Sequence, residues 1–208
     1  MLGVLVFQLM AFGPSPQLAL AETSQTNPTL IISAVQITGG SGHTHEDFIE
    51  LYNPTDQPFD LSGYRLVKRT ATGVTDATIQ SWSSSVVILP HHFFLWANAS
   101  FSGVAVTPDA TSSATLADNN GIALRQGPND SGDIVDSIAW GSTANTFASV
   151  SSDNPPANNS LIRDDLFAES ASFSIGASNP RNSETESLPD PDPDPDPDPD
   201  PDPDPDPD

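Results

Sequence analysis

Glu46 to Leu66 reads EDFIELYNPTDQPFDLSGYRL, two alternating runs on either side of a proline-bearing spacer. In Asp47 to Asn53 the apolar Ile49 and Leu51 flank Glu50, the period of two expected of a pleated strand with one buried face. Pro54 cannot donate to a ladder and biases Asn53 away from helix. Leu61-Ser62-Gly63 permits a sharp change of backbone direction, after which Tyr64 and Leu66 resume the alternation. The two runs are expected to pair as a hairpin, shaped by Asn53, Pro54, Leu61, Gly63 and Tyr64. On that reading Glu50 faces away from the core and either pairs across the strands with Arg65 or Lys68 or offers its carboxylate to a ligand.

Working outward, Thr29 to Ile37 is rich in β-branched residues and predicts the first strand, and Gly39 to His45 predicts a loop. A short strand is expected within Thr70 to Ser85, around Ile79 and Trp82. Val86 to Leu89 and Phe93 to Asn98 predict two more, parted by Pro90-His91-His92, and the spacing of Val104 and Val106 points to an edge strand. Ile122 to Arg125 and Ile134 to Trp140 form a hairpin across the turn residues Gly127 to Gly132, and Leu161-Ile162 and Phe173 close the set. Seven to nine short strands with no amphipathic helix predict an all-β, antiparallel two-sheet sandwich. Its expected core is Ile32, Val35, Ile49, Leu51, Leu61, Tyr64, Leu66, Leu89, Phe94, Trp96, Leu116, Ile122, Leu124, Val135, Ile138 and Leu161.

The same residues carry a family resemblance. An acidic residue, an aromatic, then Ile-Glu-Leu-Tyr-Asn-Pro and Asp-Leu-Ser-Gly-Tyr-Arg-Leu resembles the lamin-tail domain, an immunoglobulin-like sandwich. The likeness continues through Ile88-Leu89-Pro90, Phe93 to Asn98, LADNNGIALR (116–125), DIVDSIAWG (133–141), Ser160 to Arg163 and GASNPRN (176–182), covering about residues 29 to 183. Ser33-Ala34 and His91-His92 depart from the family's usual pattern. The resemblance implies a non-catalytic module of the type found in secreted bacterial proteins.

Both ends differ in composition from this domain. Leu2 to Met10 is an uncharged apolar run, broken by Gly13-Pro14 and Pro16 and followed by Ala19-Leu20-Ala21. This predicts a signal peptide over residues 1–21, then a linker over 22–28. The run falls short of the roughly 20 apolar residues a bilayer span needs, so no span is expected in the mature chain. From Pro189 to Asp208 the chain is ten Pro-Asp units. Proline at every second position removes half the donors and fixes half the φ angles, which predicts a disordered, extended spacer over 184–208 reaching about 60 Å. A spacer is expected to join the domain to something beyond Asp208, such as another domain, a sorting signal or an anchor.

The chain has 208 residues, no cysteine and a formal net charge of −22; taking away the ten tail aspartates leaves −12. Disulfide staples and cysteine nucleophiles are excluded. Affinity for nucleic acid comes largely from Lys and Arg on phosphates, and Arg65, Lys68 and Arg69 form the only basic cluster, so no nucleic-acid partner is expected.

Chemistry is sparse. No G-x-S-x-G or H-E-x-x-H pattern occurs. His43 with His45, and His91 with His92, are turn residues or, at the first pair with Glu46 or Asp47, weak metal ligands. Asp118, Asp130, Asp133 and Asp136 are weak calcium candidates in Asx-rich loops without EF-hand spacing, and Asx turns account for the same strings. No cofactor is expected, with calcium the one alternative, and no enzyme activity. The predicted function is a secreted or cell-surface binding or structural module on an acidic stalk. Its partner is an extracellular protein or glycan, met by aromatics such as Phe48, Tyr52 or Trp82 if these are exposed. The alternatives are an accessory domain of an extracellular hydrolase, of nuclease or phosphoesterase type, whose catalytic part lies beyond Asp208, or a calcium-dependent adhesion module.

Overall fold

Alternation of apolar and polar side chains produces strands throughout the computed structural model, which describes residues 30–102, 106–142, 147, 151–168 and 171–188. The expected signal peptide, linker and Pro-Asp repeat lie outside these residues, as does Val104. Thirteen strands are present among the described residues. Six of them, β1 (Ile31–Gln36), β2 (Phe48–Tyr52), β7 (Phe93–Asn98), β8 (Ala110–Ser112), β12 (Asn159–Arg163) and β13 (Phe173–Ala177), form one sheet in the order β13-β12-β1-β2-β7-β8. Five more, β4 (Tyr64–Arg69), β5 (Ala77–Ser81), β9 (Gly121–Gln126), β10 (Asp133–Trp140) and β11 (Ser151–Ser152), form the second, ordered β11-β10-β9-β4-β5. β3 (Phe59–Asp60) and β6 (Val87–Ile88) make a two-stranded ribbon. Pairing is antiparallel except at two edges, where β8 joins β7 and β11 joins β10 in parallel. The excess over seven to nine strands comes mainly from two- and three-residue pieces, β3, β8 and β11, too short to show a period, while β6 is the strand expected within Val86 to Leu89.

The expected hairpin between residues 48–52 and 64–69 does not form. β2 lies between β1 and β7 in one sheet, whereas β4 lies between β5 and β9 in the other. The spacer therefore carries the chain across the sandwich. Asn53 anchors this crossing: its amide Nδ2 donates to the carbonyls of Gln57 (2.8 Å), Ile88 (3.2 Å) and Leu89 (3.2 Å), and its Oδ1 accepts from Thr55 N–H (3.1 Å) and the Thr55 hydroxyl (2.7 Å). At the far end Gly63, with φ of 82°, turns the chain into β4 and donates its N–H to Trp82 O. That left-handed backbone is strained for any side chain, even though a Cβ there would meet nothing within 4 Å.

The core between the sheets contains Ile32, Val35, Ile49, Leu51, Leu61, Leu66, Phe94, Trp96, Leu116, Ile122, Leu124, Ile138 and Leu161, as expected, together with Leu30, Ile37, Ile79, Trp82, Ile88 and Trp140. Tyr64 and Val135 pack against it only half buried. Leu89 is not core. It is 52% exposed because Ile88, its neighbour on the short β6, takes the inward position.

The six-stranded sheet is also covered on its outer face. Ile31, Tyr52 and Phe93 pack there with Leu166, Phe167 and Leu188, and Ala34, Phe48, Leu95 and Ala97 pack with Phe101 and Val106. A bulge between Ile32 and Ala34 turns both Ser33 and Ala34 toward this outer layer. Phe48, Tyr52 and Trp82 are accordingly buried, not exposed contact residues.

Candidate functional site

The outer face of the six-stranded sheet brings together the most polar chemistry in the domain. Glu50 projects from the middle of β2 opposite the core, as alternation requires, yet it is fully buried. Its partner is neither Arg65 nor Lys68, which belong to the other sheet. Instead a strap of chain, residues 178–188, crosses over it after β13. Arg181 Nη2 donates to Glu50 Oε1 (2.8 Å), and its Nε (3.3 Å) and backbone N–H (2.7 Å) donate to Oε2. The Ser33 hydroxyl adds a fourth bond to Oε1 (2.7 Å). The guanidinium also lies 3.7 Å from the centroid of the Phe93 ring. A carboxylate taken out of water is stable only with such partners.

Beyond Arg181 the strap stays attached. Asn182 Nδ2 donates to Thr107 O (3.0 Å), Ser183 N–H donates to Asp109 Oδ2 (3.0 Å), and Leu188 N–H donates to His91 O (3.2 Å) while its side chain packs with Tyr52 and Phe93. The domain therefore extends five residues past the boundary expected at Ser183, and Pro189 follows directly on an anchored residue.

Two further carboxylates are consumed in the same manner. Asp136 accepts from Ile32 N–H (2.7 Å) and from Arg163 Nη2, tying β10 to β1 and β12 of the first sheet. Asp76, whose side chain is fully buried, meets Arg69 Nε (2.7 Å) and Arg125 Nε (2.6 Å) on the outer face of the five-stranded sheet, with Phe147 stacked beneath both guanidinium groups. Arg65 on that face donates to Asn129 Oδ1 (3.1 Å). Lys68 points to the opposite face and donates to Thr115 O. The basic cluster seen in the sequence is thus divided between two faces, and of its three members Arg69 is the one in an ion pair among the described residues.

Asp47, at the entrance to β2, is the one strongly perturbed acid. Its Oδ2 accepts Leu116 N–H (2.7 Å), and its buried Oδ1 has no hydrogen-bond partner. Burial pushes its carboxyl up to about 7, with the Leu116 N–H and the charge of Lys68 opposing the shift. Burial likewise lowers Lys68 from the ordinary lysine value, opposed by Asp47.

The first histidine pair rims an open pocket of about 180 Å³ lined by Gly42, His43, His45, Glu46, Ser100 and Ser102. His43 Nδ1 (2.7 Å) and the Ser102 hydroxyl (3.2 Å) both bind Glu46 Oε1. The hydroxyl is therefore held by the carboxylate and not by the imidazole, so the serine–histidine hydrogen bond of a catalytic triad is not made here. His91 bonds Asp56 (3.0 Å) through Nε2, and His92 bonds Pro90 O (2.7 Å).

The four aspartates considered for calcium are not gathered into one site. Asp136 is held by Arg163, and Asp130 is tied to Asp76, each accepting the other's backbone N–H. Asp118 and Asp133 are exposed. No group of three or more His, Asp or Glu among the described residues is placed to hold a metal ion.

Of the residues that organise the site, Arg181, Arg163, Asp76 and Ser33 carried no local signal, since each acts on a partner brought near only by folding. Asp47 and Arg181 do lie inside segments that resemble the family. Residues 23–142 match the family model of the Lamin Tail Domain. β11 to β13 and the strap lie beyond the matched stretch. No curated protein matches the chain.

Proposed function

The chain belongs to the lamin tail domain family, and on that premise we propose that it is a non-catalytic binding or structural module, secreted or displayed at the cell surface, with the Pro-Asp segment as its stalk. The family is an immunoglobulin-like β-sandwich, and no helix among the described residues is long and apolar enough to cross a membrane.

The observation that carries this reading is the strap. Arg181 is clamped on the buried Glu50, and Leu188 is tucked against Tyr52 and Phe93 immediately before the first Pro-Asp unit. A stalk that left a frayed terminus would transmit no orientation. One joined to an anchored residue starts from a fixed point on the domain. The carboxylates that could have served acid–base chemistry are instead used as structural ligands for Arg69, Arg125, Arg163 and Arg181, which also fits a module that binds and does not react.

Expression of the full sequence in a secreting host tests export: the mature protein is expected to begin at Glu22 by mass spectrometry. An unprocessed chain retained in the cytoplasm overturns it. The purified mature chain is then expected to retain an envelope or matrix polymer in a pull-down, and capture of none overturns the binding role.

A further inference from the structure

Every open sheet has edges, and proteins blunt them with short strands, charges, prolines or bulges. Three of the four outer edges of this sandwich are blunted. β8 has three residues and β11 two, while β5 carries a register shift against β4 between Leu66 and Val67. β13, at the end of the six-stranded sheet, is different. Phe173–Ala177 (FSIGA) holds five residues in unbroken register with β12, with no charge and no proline, and Ile175 is 39% exposed.

The register fixes which groups face outward. Ser178 N–H donates to Asn158 O and Asp164 N–H donates to Ser172 O, so the hydrogen-bonded pairs between them are Ser160 with Gly176 and Ile162 with Ser174. Antiparallel pairing alternates. Phe173, Ile175 and Ala177 therefore turn their N–H and C=O groups away from β12, toward the open edge. Their side chains lie on the core side: Phe173 packs against the core beneath Arg163, and Ile175 stands opposite the fully buried Leu161.

We propose that this edge pairs with β13 of a second copy of the chain, antiparallel about a two-fold axis through Ile175. In that register Phe173 faces Ala177 of the partner copy, a large side chain against a small one, and Ile175 faces Ile175. The three outward residues on each strand then close about six backbone hydrogen bonds. The contact is isologous, so it closes at two copies and does not propagate. None of the edge strands carries a charge, so pairing at β13 sets no like charges directly opposite each other in two chains of charge −22, and its length and unbroken register single it out.

A five-residue edge buries far less than the roughly 1,000 Å² of a durable interface, so the dimer is weak and forms where copies are crowded, as on a surface bearing many stalks. The pairing goes beyond the export reading and does not depend on it: a dimer stands even if the chain is never processed after Ala21.

Sedimentation of the full chain from 1 µM to 1 mM, in salt high enough to screen its charge, is expected to pass from one copy to two. Ile175→Pro removes an outward N–H that β12 does not use, and is expected to remain monomeric with a melting temperature close to wild type. Ala177→Pro serves the same purpose should the first variant fail to fold. Because the protein has no cysteine, Ile175→Cys provides a position-specific probe: paired residues about 5.5 Å apart are within disulfide reach. Its oxidative cross-linking is expected to exceed that of the exposed control Val74→Cys by at least tenfold. A monomer at every concentration, a dimer that persists in the folded proline variants, or equal cross-linking at both cysteines overturns the proposal.

Discussion

Replacing Arg181 by alanine isolates the contribution of the strap. The substitution removes the Nη2 bond to Glu50 Oε1 (2.8 Å), the weaker Nε bond (3.3 Å) and the contact with the Phe93 ring. It leaves the backbone N–H of residue 181 and the Ser33 hydroxyl on the carboxylate. Stripping one partner from a buried ion pair costs about 3–5 kcal/mol, because the other charge stays buried. The two surviving hydrogen bonds offset part of this, and the loss of stacking adds about 1 kcal/mol, so a cost of about 3 kcal/mol is expected. For a domain of this size that lowers the melting temperature by roughly 6 to 12 °C.

The reverse substitution is milder. Glu50→Gln leaves an arginine whose side chain is 27% exposed and can turn to water, at a cost of about 1 kcal/mol. In the Arg181→Ala background the same Glu50→Gln change should restore stability, since it removes the stranded charge. Urea denaturation of the four proteins in a double-mutant cycle measures the coupling. Amide exchange is expected to show faster opening over residues 183–188 in Arg181→Ala. A single variant within about 2 °C of wild type, or additive effects in the cycle, would refute the clamp.

The remaining expectations concern pH, the chain crossing and calcium. The folded Asp47 carboxyl titrates near 7 against an ordinary value of 3.8, so the folded state binds the proton more tightly; its contribution is fully present below 3.8 and is lost as pH rises through 7. Between pH 5 and 8 the wild type should lose on the order of 2 kcal/mol from this residue, visible as a falling melting temperature that Asp47→Asn flattens, and parallel slopes for the two proteins would contradict it. Asn53→Ala removes the amide donor shared by the carbonyls of Gln57, Ile88 and Leu89, of which Gln57 O keeps the Thr55 hydroxyl and Leu89 O keeps His92 N–H, and should cost about 1–2 kcal/mol by urea titration; a loss under about 0.5 kcal/mol would remove its role as anchor. A chain ending at Leu188 should melt identically in millimolar calcium and in chelator, and a rise with calcium that Asp130→Asn abolishes would reinstate the loop site.

The sequence revealed faces better than partners. Alternation in FIELY assigned Ile49 and Leu51 to the core and Glu50 to the opposite side, and the structure agrees. What alternation does not contain is the identity of the neighbouring strand. β2 and β4 have matched inward residues whether they pair edge to edge or face each other across the core; the second arrangement forms, with β2 paired to β1 and β7, β4 paired to β5 and β9, and the crossing between them anchored at Asn53. Glu50 follows from that choice. Once β4 is in the other sheet, its carboxylate must find a donor elsewhere, and the one it finds is 131 residues away.

One signal for this was present. FFLWA in β7 is apolar at every position, and an unbroken apolar strand implies cover on both faces. β2 pairs with β7 so that Tyr52 meets Phe93 and Glu50 meets Leu95. An outer face this apolar could not remain in water, so some later segment had to cover it, and that segment needed a cation for Glu50. Among the arginines, Arg65 and Arg69 lie on the other sheet, Arg125 is held by Asp76 and Arg163 by Asp136. Arg181 is the one left to close the strap, which is why the anchored chain runs on to Leu188 and the Pro-Asp repeat starts only after it.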